Sequence, residues 1–81
     1  MSESTIKVYA ANWCGDCRRS RRFLDKHKIP YEWINVDQDP QAEQFVLETN
    51  KGMRSVPTIV FQDGSILVEP SDTELGAKLG I

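Results

Sequence analysis

Thr5-Ile6-Lys7-Val8-Tyr9-Ala10-Ala11-Asn12-Trp13-Cys14-Gly15-Asp16-Cys17 is the stretch that decides the fold. Ile6 and Val8 alternate with Lys7 and β-branched side chains dominate, which predicts a strand over Thr5–Ala10. Asn12 to Asp16 breaks the alternation. From about Gly15 to His27 the apolar spacing changes to three and four, predicting a helix with Cys17, Ser20, Leu24 and His27 inward and Phe23 beside them. Arg18, Arg19 and Arg22 fall mostly on other faces. Lys26, His27 and Lys28 close the helix where its dipole favours positive charge.

Working outward, Pro30 ends that helix, and Tyr31–Val36 reads as a second strand. Asp39-Pro40 is a helix start, with Asp at the cap and Pro at the first helical position. Ala42, Phe45, Val46 and Thr49 continue at helical spacing, and Gly52 supplies a stop. Pro57 opens a third strand, Thr58–Phe61, and Gln62-Asp63-Gly64 turns it into a fourth, Ser65–Val68. Pro70-Ser71-Asp72-Thr73-Glu74 begins the last helix, with Ser71 and Glu74 spaced as a capping box and Leu75 and Leu79 on one face. The order β-α-β-α-β-β-α predicts a right-handed parallel crossover followed by an antiparallel hairpin, that is, an α/β four-stranded mixed sheet flanked by three helices.

Length and composition bound the function. Eighty-one residues make one small domain, and 40% apolar with 27% charged residues is the mix of a folded soluble protein. Ten basic against twelve acidic side chains give a net charge of −2, so no global positive field draws in nucleic acid or anionic membrane. The longest apolar run is four residues, Val8 to Ala11, far short of the roughly 20 that span a bilayer. Met1-Ser2-Glu3-Ser4-Thr5 lacks the basic-then-apolar layout of a secretory signal, so a cytoplasmic location is expected.

The only two cysteines are Cys14 and Cys17. A bond between them closes almost no loop and is a poor staple, because the chain-entropy benefit grows with loop length. Its use is to form and break. Cys14 stands where the first strand meets the first helix, where unpaired N–H groups and the helix dipole favour a negative charge. The thiolate is the reactive form of cysteine. Cys17, about one turn further in and turned toward the core, is placed to resolve a mixed disulfide formed at Cys14. Zinc is the chief competitor. Structural zinc takes four Cys/His ligands, and His27 lies three turns down the helix, facing elsewhere. An iron–sulfur cluster shared between two chains through Cys14, in a carrier or scaffold, stays open.

Trp13-Cys14-Gly15-Asp16-Cys17 resembles the active-site loop of the thioredoxin superfamily, and its position after a single strand resembles the glutaredoxin branch. Ser55-Val56-Pro57-Thr58 is similar to that family's Thr-Val-Pro segment. Asn50, Gly52, Arg54, Asp63-Gly64 and Pro70-Ser71 look closest to the mycoredoxins. The resemblance implies a thioredoxin-like (glutaredoxin) fold and a monomeric thiol–disulfide oxidoreductase without a bound cofactor. Such an enzyme uses a low-molecular-weight thiol such as glutathione or mycothiol as co-substrate. It acts on protein disulfides or S-thiolated proteins, with electrons from a small thiol or a thioredoxin-reductase-type protein. It uses both cysteines, with a monothiol route through Cys14 also open. It further implies that Pro57 is cis and that Val56 binds substrate through its main chain, with Trp13, Asp16, Arg54, Ser71 and Asp72 around it.

This chain departs from the glutathione-using pattern at three places. Ala11 stands where a basic residue is usual, Asp16 where Tyr is common, and Pro70-Ser71 where Gly-Gly precedes the last helix. Losing one cation and adding one carboxylate weakens capture of a dicarboxylate thiol by about 0.3–1 kcal/mol each.

Each remaining candidate also has an ordinary structural role. Asp16 stabilises the first helical turn, and Trp13 is both a platform and a packing residue. Ser71, Asp72 and Thr73 cap the last helix and also offer N–H groups to a carboxylate. The run Arg18, Arg19, Arg21, Arg22 is a solvated face, with Arg18 or Arg21 best placed to support an anion near the site.

Overall fold

A computed structural model describes residues 5–81, and the reading of Met1 to Ser4 above lies outside them. The strands are β1 (Ile6–Ala10), β2 (Tyr31–Asn35), β3 (Thr58–Val60) and β4 (Ile66–Val68), and the helices α1 (Gly15–Lys26), α2 (Pro40–Thr49) and α3 (Asp72–Leu79). The sheet order is β2-β1-β3-β4, with β2 parallel to β1 and the other two pairings antiparallel. This is the four-stranded mixed sheet expected from the element order, in the thioredoxin-like arrangement that the resemblance implies.

The period-two pattern divides the sheet between its two faces. Ile6, Val8 and Ala10 are buried, Val8 pairs with Ile59 and Ile59 with Leu67, so these side chains share one face. Tyr31 and Trp33 lie on it too, in contact with Arg21 of α1, which places α1 on that side. Leu24 of α1 and Leu75 of α3 are both fully buried. Gly76 brings the two helices together, since a Cβ there would stand 3.4 Å from the Phe23 ring. Tyr9 and Thr58 point to the opposite face, where Tyr9 meets Phe45 of α2 at 4.7 Å between ring centroids.

The caps follow the sequence closely. Asp39 accepts from Gln41 and Ala42 N–H at 3.1 Å each, with Pro40 behind it. Ser71 and Glu74 form the reciprocal capping box at 3.1 and 2.8 Å. The helix ends differ more. α1 stops at Lys26, and His27 is an exposed cap residue packed on Phe23, so it does not join the inward face. α2 stops at Thr49, three residues before Gly52. In both cases a lysine takes the left-handed conformation just past the end, Lys28 and Lys51 each at φ 57°. The next residue then closes the helix, Ile29 N–H onto Leu24 O at 2.9 Å and Gly52 N–H onto Leu47 O at 2.7 Å.

Among the described residues no helix is long and apolar enough to cross a membrane.

Candidate active site

Cys14 is the N-cap of α1. Its backbone is extended (φ −82°, ψ 120°), and its sulfur accepts the Cys17 N–H at 3.3 Å. The helix therefore begins on a sulfur acceptor in place of the usual Ser, Thr, Asp or Asn oxygen. Cys14 is half-buried, whereas Cys17 is fully buried. Burial pushes the Cys17 thiol up to about 12. The Cys14 side chain adds to this, as does the negative charge of Asp16, while the hydrogen bond with the Ala11 backbone pulls the other way. The two sulfurs are thus chemically unequal. One is reachable from solvent, and the other is held protonated behind it.

Opposite Cys14 lies the Ser55–Thr58 segment. The Val56–Pro57 peptide bond is cis, and the Cys14 thiol donates to Val56 O at 3.6 Å. Val56 and Pro57 are both buried. Asn50, the cap residue of α2, donates to Thr58 Oγ1 at 3.1 Å, and Thr58 donates to Ser55 O at 2.7 Å. On the far side Glu69 N–H donates to Pro57 O at 2.8 Å. Glu69 sits at φ 49°, a positive value unusual for a residue with a Cβ.

Trp13 is 65% exposed, so it forms a rim to the site and packs little against the core. Its indole N–H donates to Asp37 at 2.8 Å, and the Arg54 guanidinium lies 6.0 Å from its ring centroid. Arg54 is itself held by Glu43, at 2.8 Å, and by Asp37. Those two carboxylates raise the Arg54 pKa, Glu43 most. In return Arg54, and after it the Trp13 N–H, hold the Asp37 carboxyl below its ordinary value. The expected substrate cation is therefore already paired within the chain.

Asp16 meets Arg19 at 3.5 Å, and Arg19 continues to Pro70 O at 3.4 Å and Asp72 at 3.9 Å. One guanidinium thus joins the beginnings of α1 and α3. This departs from the expectation that Arg18 or Arg21 supports the site. Arg21 is turned to Tyr31 OH at 3.2 Å and stacks 4.5 Å from the Trp33 ring centroid, away from Cys14. The Ser71 hydroxyl and N–H are both spent in the capping box.

The geometry thus gathers Trp13, Cys14, Cys17, Val56 and Pro57 directly, Arg54 through Trp13, and Asp72 through Arg19 and Asp16. Sequence reasoning missed Asp37, Glu43 and the bracing role of Asn50 and Thr58. Thr58, next to Pro57, and Asn50 both lie among the residues that carry the resemblance, whereas Asp37 and Glu43 had no visible signal. Among the described residues no group of three His, Cys, Asp or Glu side chains is placed to hold a metal ion.

A half-exposed cysteine thus caps a helix, a buried cysteine lies one turn behind it and the Val56–Pro57 segment stands across from it, and this chain has known relatives. Mycoredoxin 1 of Corynebacterium glutamicum is 38% identical over 76 residues, 94% of each chain. The glutaredoxin-like protein NrdH of Lactococcus lactis is 33% identical over 58 residues, 72% of this chain and 78% of that protein. Among solved structures, the thioredoxin-like protein BC3987 matches with a TM-score of 0.78 at 27% identity, covering 90% of this chain and 97% of that one. Residues 6–66 match the family model described as Glutaredoxin, and the chain belongs to the glutaredoxin family.

Proposed function

We propose that this protein is a thiol–disulfide oxidoreductase that reduces protein disulfides, or mixed disulfides between proteins and a low-molecular-weight thiol, through Cys14 and Cys17. The observation that carries this reading is the pairing of a solvent-reachable Cys14 sulfur at the start of α1 with the enclosed Cys17 directly behind it.

The Cys14 thiolate attacks one sulfur of a substrate disulfide. A Cys14–substrate S–S bond forms, the substrate S–S bond breaks, and the departing thiolate takes up a proton. Cys17 then gives up its proton and attacks the Cys14 sulfur, forming the internal disulfide and releasing the second substrate thiol. The protein is oxidised by two electrons and the substrate reduced by two. A small thiol or a thioredoxin-reductase-type protein returns them. A small thiol attacking the mixed disulfide in place of Cys17 gives the monothiol route.

Trp13 offers the partner an exposed apolar face beside Cys14, and the Val56 main chain pairs with an extended partner segment. Asp16, Arg54 and Asp72 shape the charge around the site, and Ser71 caps the helix that carries Asp72. The protein acts as a monomer in the reducing environment of the cytoplasm, and a sugar- or peptide-based thiol such as mycothiol or glutathione serves as co-substrate.

The test is reduction of model mixed disulfides made with glutathione, mycothiol, bacillithiol and coenzyme A. Wild type should turn over at least one, Cys14→Ser none, and Cys17→Ser should retain the small-thiol route. A Cys14→Ser variant as active as wild type would overturn the proposal.

A further inference from the structure

We infer that the Thr58 hydroxyl is a positioning group, which turns the Ser55–Val56 peptide unit so that the Val56 N–H receives a main-chain carbonyl of a disulfide-bearing polypeptide. This deepens the function proposed above and rests on it. To the Val56 main-chain contact proposed above it adds the side chain that orients that contact.

The argument begins with hydrogen accounting. The Asn50 amide has two hydrogens; one goes to Val46 O at 2.9 Å and the other to Thr58 Oγ1 at 3.1 Å. The Thr58 hydroxyl has one hydrogen, and it goes to Ser55 O at 2.7 Å. The chain of donors has a single direction, from the end of α2 through the fully buried Thr58 to the Ser55 carbonyl.

Ser55 C=O and Val56 N–H belong to the same trans peptide unit, in which the two groups point opposite ways. Fixing the carbonyl against buried Thr58 turns the N–H away from it. That N–H makes no hydrogen bond among the described residues, although Val56 is only 8% exposed. This donor sits beside the carbonyl that faces Cys14 at 3.6 Å, and a backbone N–H without an acceptor in the chain is open to one from a partner. An extended segment entering next to its own disulfide supplies the missing acceptor.

Two variants probe the relay. Thr58→Val keeps the shape and removes the hydroxyl. Asn50→Asp keeps the size but replaces the donating NH2 with an oxygen, which draws the Thr58 hydrogen away from Ser55 O. Each is assayed with a cysteine-containing octapeptide as its mixed disulfide with 2-mercaptoethanol, and with bis(2-hydroxyethyl) disulfide, which has no peptide group. Both variants should raise KM for the octapeptide by about ten-fold, the equivalent of one lost hydrogen bond, with kcat and the hydroxyethyl reaction unchanged. Thr58→Ser should restore wild-type KM. If Thr58→Val does not fold, Asn50→Asp and Thr58→Ser carry the comparison. An octapeptide KM indifferent to the substitutions, or equal losses on both probes, overturns this inference alone. A wild-type protein inert toward both probes overturns the proposed function together with it.

Discussion

The Cys14 sulfur accepts the Cys17 N–H at 3.3 Å, so the side chain offered to a partner is also the cap that starts α1. Reactivity and helix stability therefore meet in one atom. A hydroxyl serves equally well as a cap but cannot exchange disulfides, and this separates the two roles. Cys14→Ser should abolish exchange while leaving the reduced protein at least as stable as wild type. Cys14→Ala should lose both, at a cost of about 0.5–2 kcal/mol. Urea unfolding of the three reduced proteins, run beside the exchange assay, checks this.

The Cys17 thiol, pushed up to about 12 mainly by burial, sets two pH dependences. The resolving attack needs the thiolate, and Cys17 stays buried when Cys14 carries a partner, so its rate should climb from neutral pH upward. Stability moves the other way. The folded state keeps this proton where the unfolded chain, at 9.0, has lost it, so the contribution is complete below pH 9 and drains away between 9 and about 12. The slope is at most about 1.4 kcal/mol per pH unit for one proton. Reduced Cys17→Ala should show a shallower alkaline loss in thermal unfolding.

Arg54 is neutralised by Glu43 and Asp37, so the cation beside Trp13 is not free for an anionic disulfide. Asp37→Asn with Glu43→Gln should raise the rate with 3,3′-dithiodipropionate, relative to bis(2-hydroxyethyl) disulfide, by about two- to five-fold. Adding Arg54→Gln should remove that gain. Because the Asp37 carboxyl is held below its ordinary value, its link to Trp13 is present above pH 3.8 and is lost only as pH falls further. Trp13 fluorescence in a Trp33→Phe background should stay constant from pH 7 to pH 4 and change below it.

Lys28 and Lys51 hold left-handed backbone at φ 57°, whereas α3 ends on Gly80 at φ 76°. Glycine relieves the steric cost at such positions but gives up some through its freer unfolded state. Lys28→Gly and Lys51→Gly should each stabilise by about 0.5–1 kcal/mol, read as a rise of a few degrees in Tm.

Ser20 is fully buried, and its hydroxyl has no hydrogen-bond partner among the described residues. Ser20→Ala removes that orphan and improves helix propensity, so it should stabilise by on the order of 1 kcal/mol without loss of exchange. Thermal unfolding and the hydroxyethyl disulfide assay read the two halves.

Local signals carried most of the fold. Ile6 and Val8 alternating with Lys7, the Asp39-Pro40 start and the Ser71–Glu74 box each act within a few residues, and each lies where expected. His27 went astray because its position at the end of the three-and-four spacing is also where α1 unwinds into its cap. Trp13, Cys14, Cys17 and Val56 could be found because they sit in short recognisable runs. The Trp13–Asp37–Arg54–Glu43 network could not, since its members are 11 to 24 residues apart and meet only when loops at one end of the sheet converge. Arg19 was hidden for the same reason, as its distant partner Pro70 lies 51 residues away.

The outer sulfur reaches solvent while the inner one is sealed beneath it. On the proposed function, a client of any bulk can therefore be served without being swallowed. Nothing larger than a strip of backbone and one sulfur has to fit against a body of only 9.2 kDa. What limits the choice of client is then whether its own disulfide lies on a stretch loose enough to be peeled up and laid alongside Val56.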